Sequence, residues 1–155
     1  MRSLEEWLGE YAESHRNPTN KTLHYLCVPP IQLALMGLLL AVPVPAVLGG
    51  WSPFVNWASL LVVAGILYYA VLSPRLALGM LVVVLVGFAL LAALAELPVP
   101  LWATCLVIFI VAWIGQFIGH AIEGKRPSFV KDLQFLLIGP LWILSALFRR
   151  LGLRY

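Results

Sequence analysis

Across residues 22–122 the only formal charges are Arg75 and Glu96. A water-soluble domain carries charge on about a quarter of its residues, so this stretch excludes an ordinary soluble fold. A membrane-crossing helix needs about 20 apolar residues. The block therefore holds four spans with short turns and leaves no room for a separate soluble domain. The chain has 155 residues, 62% of them hydrophobic, and a net charge of +3. Apart from Arg75, its Lys and Arg gather at the ends of the apolar block and not along one exposed face, which argues against a nucleic-acid partner.

Residues 1–21 are polar, with four acids, and do not resemble a short cationic leader followed at once by an apolar core. The first span is thus expected to remain in the mature protein. Ser3 and Glu6 form a capping box, which starts a helix. Leu4, Trp7, Leu8 and Tyr11 recur at helical spacing opposite Glu5, Glu6, Glu10 and Glu13, giving an amphipathic helix too short and too charged to span. Its acidic face would be repelled by anionic lipid, which favours docking on the protein. Residues 15–21, with Asn17-Pro18 inside them, read as a turn.

The expected spans cover about 23–42, 54–72, 76–95 and 101–119, with Trp51 as an interface anchor in the first loop. The last apolar stretch, about 132–148, contains Gly139-Pro140 and reads as a re-entrant or interfacial segment. The fold class is accordingly all-α integral membrane: a four-transmembrane-helix bundle with an N-terminal amphipathic helix and a C-terminal re-entrant or interfacial helix, all in one domain over residues 1–155. With four antiparallel spans, Arg2, Arg16, Lys21, Arg75, Lys125, Arg126 and Lys131 fall on one side and only Glu96 on the other. The positive-inside rule then places the N-terminus in the cytoplasm. The membrane is expected to be a bacterial cytoplasmic membrane, or the endoplasmic reticulum in a eukaryote. Cys27 and Cys105 read as small buried hydrophobes and not as a bridge. Gly115 and Gly119 form a G-x-x-x-G that permits close helix approach or reflects ordinary glycine content; a homo-oligomer stays open.

That topology gathers the three histidines, His15, His24 and His120, on the cytoplasmic side. Asn17, Asn20, Lys21, Gln116, Glu123, Lys125 and Arg126 share the layer. Glu123 follows His120 by one turn, and a His and Glu so spaced can ligate a metal jointly. Spacing alone leaves two readings: a metal site, or interfacial histidines bonded to headgroups and water.

Two blocks add more. His15-Arg16-Asn17-Pro18-Thr19-Asn20-Lys21-Thr22-Leu23-His24, followed by Val28-Pro29, and Trp113-Ile114-Gly115-Gln116-Phe117-Ile118-Gly119-His120-Ala121-Ile122-Glu123, followed by Lys125-Arg126-Pro127, resemble the signature blocks of the membrane 2-hydroxy fatty acid dioxygenase family. The resemblance covers nearly the whole chain. It implies Fe(II)-dependent α-oxidation, in which a long-chain 2-hydroxy fatty acid and O2 yield the fatty acid one carbon shorter and CO2. It makes His15, His24 and His120 the leading iron ligands, with Glu123 a further catalytic candidate. One departure is that no acid lies between Pro140 and Phe148, where some members look to carry one.

The residue inventory is compatible with that chemistry. One mononuclear non-haem iron takes about three protein ligands and keeps open positions, whereas a di-iron site needs more His or carboxylates than this layer offers. No G-x-G-x-x-G follows a strand, so no nicotinamide or flavin fingerprint is present. Lys21, Lys125, Arg126 and Gln116 are candidate substrate-binding residues, with the acyl chain lying between spans. Asn17 and Asn20 are candidates to hold the ligands in place, or are simple turn residues. The rival classes are a small transporter, disfavoured by the lack of buried ionisable pairs, and a lipid-binding or structural scaffold. A zinc hydrolase is a third, without an H-E-x-x-H motif.

Overall fold

The computed structural model describes residues 2–49, 52 and 54–155, and every regular element among them is helical. Trp51, the expected interface anchor, lies outside the described residues. Helix α1 (Leu4–Glu13) begins where Ser3 Oγ accepts the Glu6 N–H at 3.2 Å and Glu6 Oε2 accepts the Ser3 N–H at 2.6 Å. Its Leu4, Trp7, Leu8 and Tyr11 are buried on one face. That face packs on α7 (Phe135–Arg150), where Trp7 meets the Phe135 ring edge-on at 5.2 Å and Tyr11 lies 5.5 Å from Trp142.

Helix α2 (Pro18–Ala41) starts earlier than the sequence suggests, and the turn is confined to residues 14–17. Reading residues 18–21 as part of the turn is therefore corrected. The physical reason is local: Asn17 Oδ1 accepts the Thr19 and Asn20 N–H groups, and Pro18 sits at the first helical position, where its missing N–H costs nothing. A single turn, α3 (Ala46–Gly49), precedes α4 (Trp57–Leu72). Ser73 ends α4 and caps α5 (Pro74–Ala95), its Oγ accepting the Leu76 N–H. Helix α6 (Leu101–Glu123) stops at Gly124, whose φ of 70° is the left-handed conformation that favours glycine. A short 3-10 turn at Ser128–Val130 leads on to α7.

Among the described residues, α2, α5 and α6 are long and apolar enough to cross a membrane, while α4 is a shorter apolar helix of 16 residues. Val107, Ile110, Val111, Ile114 and Ile118 form an exposed stripe along α6, and Cys105, Ala112, Gln116 and Gly119 lie on its buried face. An apolar outer face of that extent suits hydrocarbon and not water.

The principal pairing is α2 with α6. Gly37 faces Cys105, Gly115 faces Cys27, and Gly119 faces Asn20, a register that runs antiparallel. A methyl group at Gly115 would stand 2.6 Å from Cys27 Sγ, so both glycines of the G-x-x-x-G serve contact within the chain. Both cysteines are free. This register brings the start of α2 and the end of α6 together, 96 residues apart between His24 and His120.

Candidate metal centre

Each histidine reaches the site from a different local device. His15 projects from the turn after α1, His24 from the second turn of α2, and His120 from the last turn of α6. All three are buried, and one potential ligand atom from each lies within 4.8 Å of the others. Their ring centroids are 4.2, 4.9 and 5.1 Å apart.

The hydrogen bonds fix the chemistry of two rings. His15 Nδ1 is 2.6 Å from the Tyr11 carbonyl, and His24 Nδ1 is 3.0 Å from the Asn20 carbonyl. A carbonyl only accepts, so each Nδ1 carries the proton and each Nε2 presents a lone pair. Those two Nε2 atoms face one another at 2.9 Å. Two lone pairs so placed repel unless an electrophile lies between them. Burial disfavours a proton in that role: it pushes His15 down to about 4, against the partly opposing hydrogen bond to Tyr11. His120 Nδ1 is buried with no hydrogen-bond partner. Three neutral imidazoles, two with outward N–H groups tied to carbonyls and one with an orphaned nitrogen, fit a divalent transition metal.

Glu123 occupies a different position. Its carboxylate accepts the Arg16 N–H at 2.9 Å, the Asn17 N–H at 2.8 Å and Asn20 Nδ2 at 3.0 Å. It thereby pins the His15 turn and the start of α2 to the end of α6. Asn17 caps α2, and fully buried Asn20 also donates to the Ser14 carbonyl at 3.1 Å. Gln116 is buried one turn before His120. Lys125 is exposed and donates to the Glu13 carbonyl at 2.9 Å, Arg126 is exposed, and Lys21 is half-buried.

Sequence reasoning missed Tyr11 as a site residue, reading it only as part of an apolar stripe. Its ring stacks on His15 at 4.1 Å, and its carbonyl is the one that orients His15. The available signal was its spacing, four residues before a site histidine.

Beside the histidines lies an apolar cavity of about 490 Å³, framed by α2, α4, α5, α6 and α7. His24 and His120 line one end; Met36 of α2, Leu61 of α4 and Phe109 of α6 line the other. At 1.5 Å of rise per residue, the run from His24 to Met36 corresponds to a depth of about 18 Å. Such a space has the depth and apolar lining to take a long hydrocarbon chain.

An all-helical protein with membrane-length helices and a buried three-histidine cluster at the head of an apolar cavity belongs to the class of helical membrane proteins with a candidate metal site. Within that class the chain is a member of the family described as 2-hydroxy-palmitic acid dioxygenase Mpo1-like, which matches residues 1–151. It is similar to the 2-hydroxy-palmitic acid dioxygenase MPO1 of Saccharomyces cerevisiae, with 28% identity over 151 residues, covering 96% of this chain and 82% of the yeast protein. No solved structure matches the chain.

Proposed function

We propose that this protein is an Fe(II)-dependent dioxygenase that converts a long-chain 2-hydroxy fatty acid and O2 into the fatty acid one carbon shorter, CO2 and water. The single observation that carries the proposal is the placement of His24 and His120 at the end of the 490 Å³ apolar cavity, with His15 completing the cluster. Family membership and the name of the yeast relative support the same reaction class.

His15, His24 and His120 are the residues that would hold the iron. When bound, Fe(II) supplies the redox chemistry by which O2 reacts with an organic acid, a role that three neutral nitrogen ligands with open positions suit. The protein's own part is binding and exclusion of water. The cavity walls take the acyl chain, and the buried imidazoles keep the acid's polar end in a dry setting. Asn20 and Glu123 hold the His15 turn against α6, and Tyr11 and Asn20 orient two of the rings through their carbonyls. Glu123 in this reading is a positioning residue. The reaction balances without another cofactor, because loss of CO2 and oxidation of the hydroxyl carbon together supply the four electrons O2 takes up.

In the membrane, α4 would act as a fourth span beside α2, α5 and α6, and α7 as the interfacial or re-entrant helix. The cationic ends of the block then set the site and N-terminus on the cytoplasmic side. The whole chain forms one membrane domain, with α1 and α7 docked over the histidine end.

Purified protein should bind about one Fe(II) per chain and consume O2 with 2-hydroxypalmitate, releasing CO2 and pentadecanoate; His24→Ala should do neither. Iron-loaded wild type that leaves 2-hydroxypalmitate and O2 untouched would sink the proposal.

A further inference from the structure

The cavity wall beside the histidines carries three polar atoms with nothing to bond. Gln116 Nε2, Trp113 Nε1 and Ser128 Oγ are each buried without a hydrogen-bond partner, and all three residues line the cavity. Trp113, Gln116 and His120 recur at i, i+3 and i+7, so they share one face of α6. The Trp113 ring meets Phe129 edge-on at 5.3 Å, which brings the Ser128 turn against that same face. Leaving a buried donor unpaired is costly, and native structures rarely keep three in one place without a ligand or water to satisfy them.

We infer that Trp113, Gln116 and Ser128 form a neutral donor cradle that binds the carboxylate of the acid substrate. The inference rests on the proposed function for the identity of that acid. An amide N–H and an indole N–H only donate, and a hydroxyl can turn to donate, so the cradle matches a group that only accepts. A carboxylate is such a group, and hydrogen bonds to its charged form stabilise it without a cation. The alternative anchors are the cations. Lys21, Lys125 and Arg126 do not line the cavity, and Lys125 is already bonded to the Glu13 carbonyl. The cradle therefore sets the acid's head group beside His120 and sends the chain toward Met36 and Leu61. It also gives a use to an amide N–H and an indole N–H that the cavity wall otherwise leaves unpaired.

The test is equilibrium binding to the full-length protein in lipid nanodiscs. It compares 2-hydroxypalmitate with 2-hexadecanol, which keeps the chain and the hydroxyl but lacks the carboxylate. Trp113→Phe retains the ring and deletes only the N–H; Gln116→Leu and Ser128→Ala delete the other two donors. Each of the first two should weaken binding of the acid about tenfold or more, the range for a hydrogen bond to a charged group, and that of the alcohol by less than about threefold. Metal content and melting temperature, read alongside, should stay near wild type. Should Gln116→Leu fail to fold, Trp113→Phe alone decides. Unchanged acid affinity in the folded variants, or equal losses for acid and alcohol, would overturn the cradle. A wild type that binds the acid through these donors yet consumes no O2 would keep the cradle and reject the dioxygenase.

Discussion

His15 Nε2 and His24 Nε2 face one another at 2.9 Å, and each ring donates its opposite N–H to the backbone carbonyl of the residue four positions earlier. The same i to i−4 device, used once after α1 and once in α2, sets both rings in the same tautomer. Two such lone pairs repel when nothing lies between them, and a cation held there would turn that repulsion into ligation. The pair is thus a structural reason to expect a metal at this site that does not depend on the family.

Iron should therefore stabilise the fold strongly. Free Fe(II) at 100 times its dissociation constant is expected to add about 2.7 kcal/mol. Thermal unfolding in detergent should show a higher melting temperature with Fe(II), reversed by chelator. His24→Ala should show no response to either.

Acid should destabilise the metal-free protein. The His15 pKa is about 4 in the folded chain, below the unfolded value of 6.5, because burial penalises the imidazolium. A lowered folded pKa means that the unfolded chain takes up the proton first. The stability from neutral His15 is full above pH 6.5 and is lost progressively as the pH falls from there toward 4, by about 3 kcal/mol in total. Denaturation midpoints measured between pH 8 and 4 should fall over that window, and His15→Gln should flatten the slope.

Glu123→Ala should loosen the site without removing a ligand. It strips the acceptor from three donors, the N–H groups of Arg16 and Asn17 and Nδ2 of Asn20. Loss of such support lowers metal affinity by about 10–100-fold in well-studied metal sites. Calorimetric titration with Fe(II) should find the weakening, and Glu123→Gln, which keeps one acceptor oxygen, should recover part of it.

Gly119→Ala should separate α2 from α6 beside the histidines. A Cβ there would collide with Asn20 Oδ1, and Asn20 is fully buried, so the helices must move apart. The expected cost is about 1–3 kcal/mol, with loss of metal. Gly9→Ala is the matched control: nothing lies within 4 Å of its added methyl group, and the helical position should gain up to about 1 kcal/mol. Melting temperatures of the two variants should move in opposite directions.

Gly65→Leu should shorten the acyl chains accepted. Gly65 lines the cavity on α4, with no atom within 4 Å of a Cβ built there. A leucine would project into the space between the histidine end and Leu61. In competition assays among 2-hydroxy acids, the preference should shift toward shorter chains, with iron content unchanged.

The sequence by itself determined the medium and the materials. An apolar block with only Arg75 and Glu96 charged admits helices in a membrane and little else, because an unpaired backbone amide in hydrocarbon is too costly for any open strand or loop. The three histidines were likewise visible as the only ones in the chain. What periodicity missed was decided in one place by a local cap and in the others by tertiary contacts. The start of α2 depended on Asn17 and Pro18, a cap whose strength sequence spacing does not weigh against a turn. Glu123, one turn after His120, had the spacing of a ligand, yet its carboxylate accepts three donors from a segment more than a hundred residues earlier. Tyr11 looked like one more apolar contact on the α1 stripe, yet its ring also stacks on His15 and its carbonyl orients that ring. Helical spacing tells which residues share a face. Only the antiparallel seam of α2 and α6, set by glycines small enough to let the backbones meet, decided that His24 and His120 share a site.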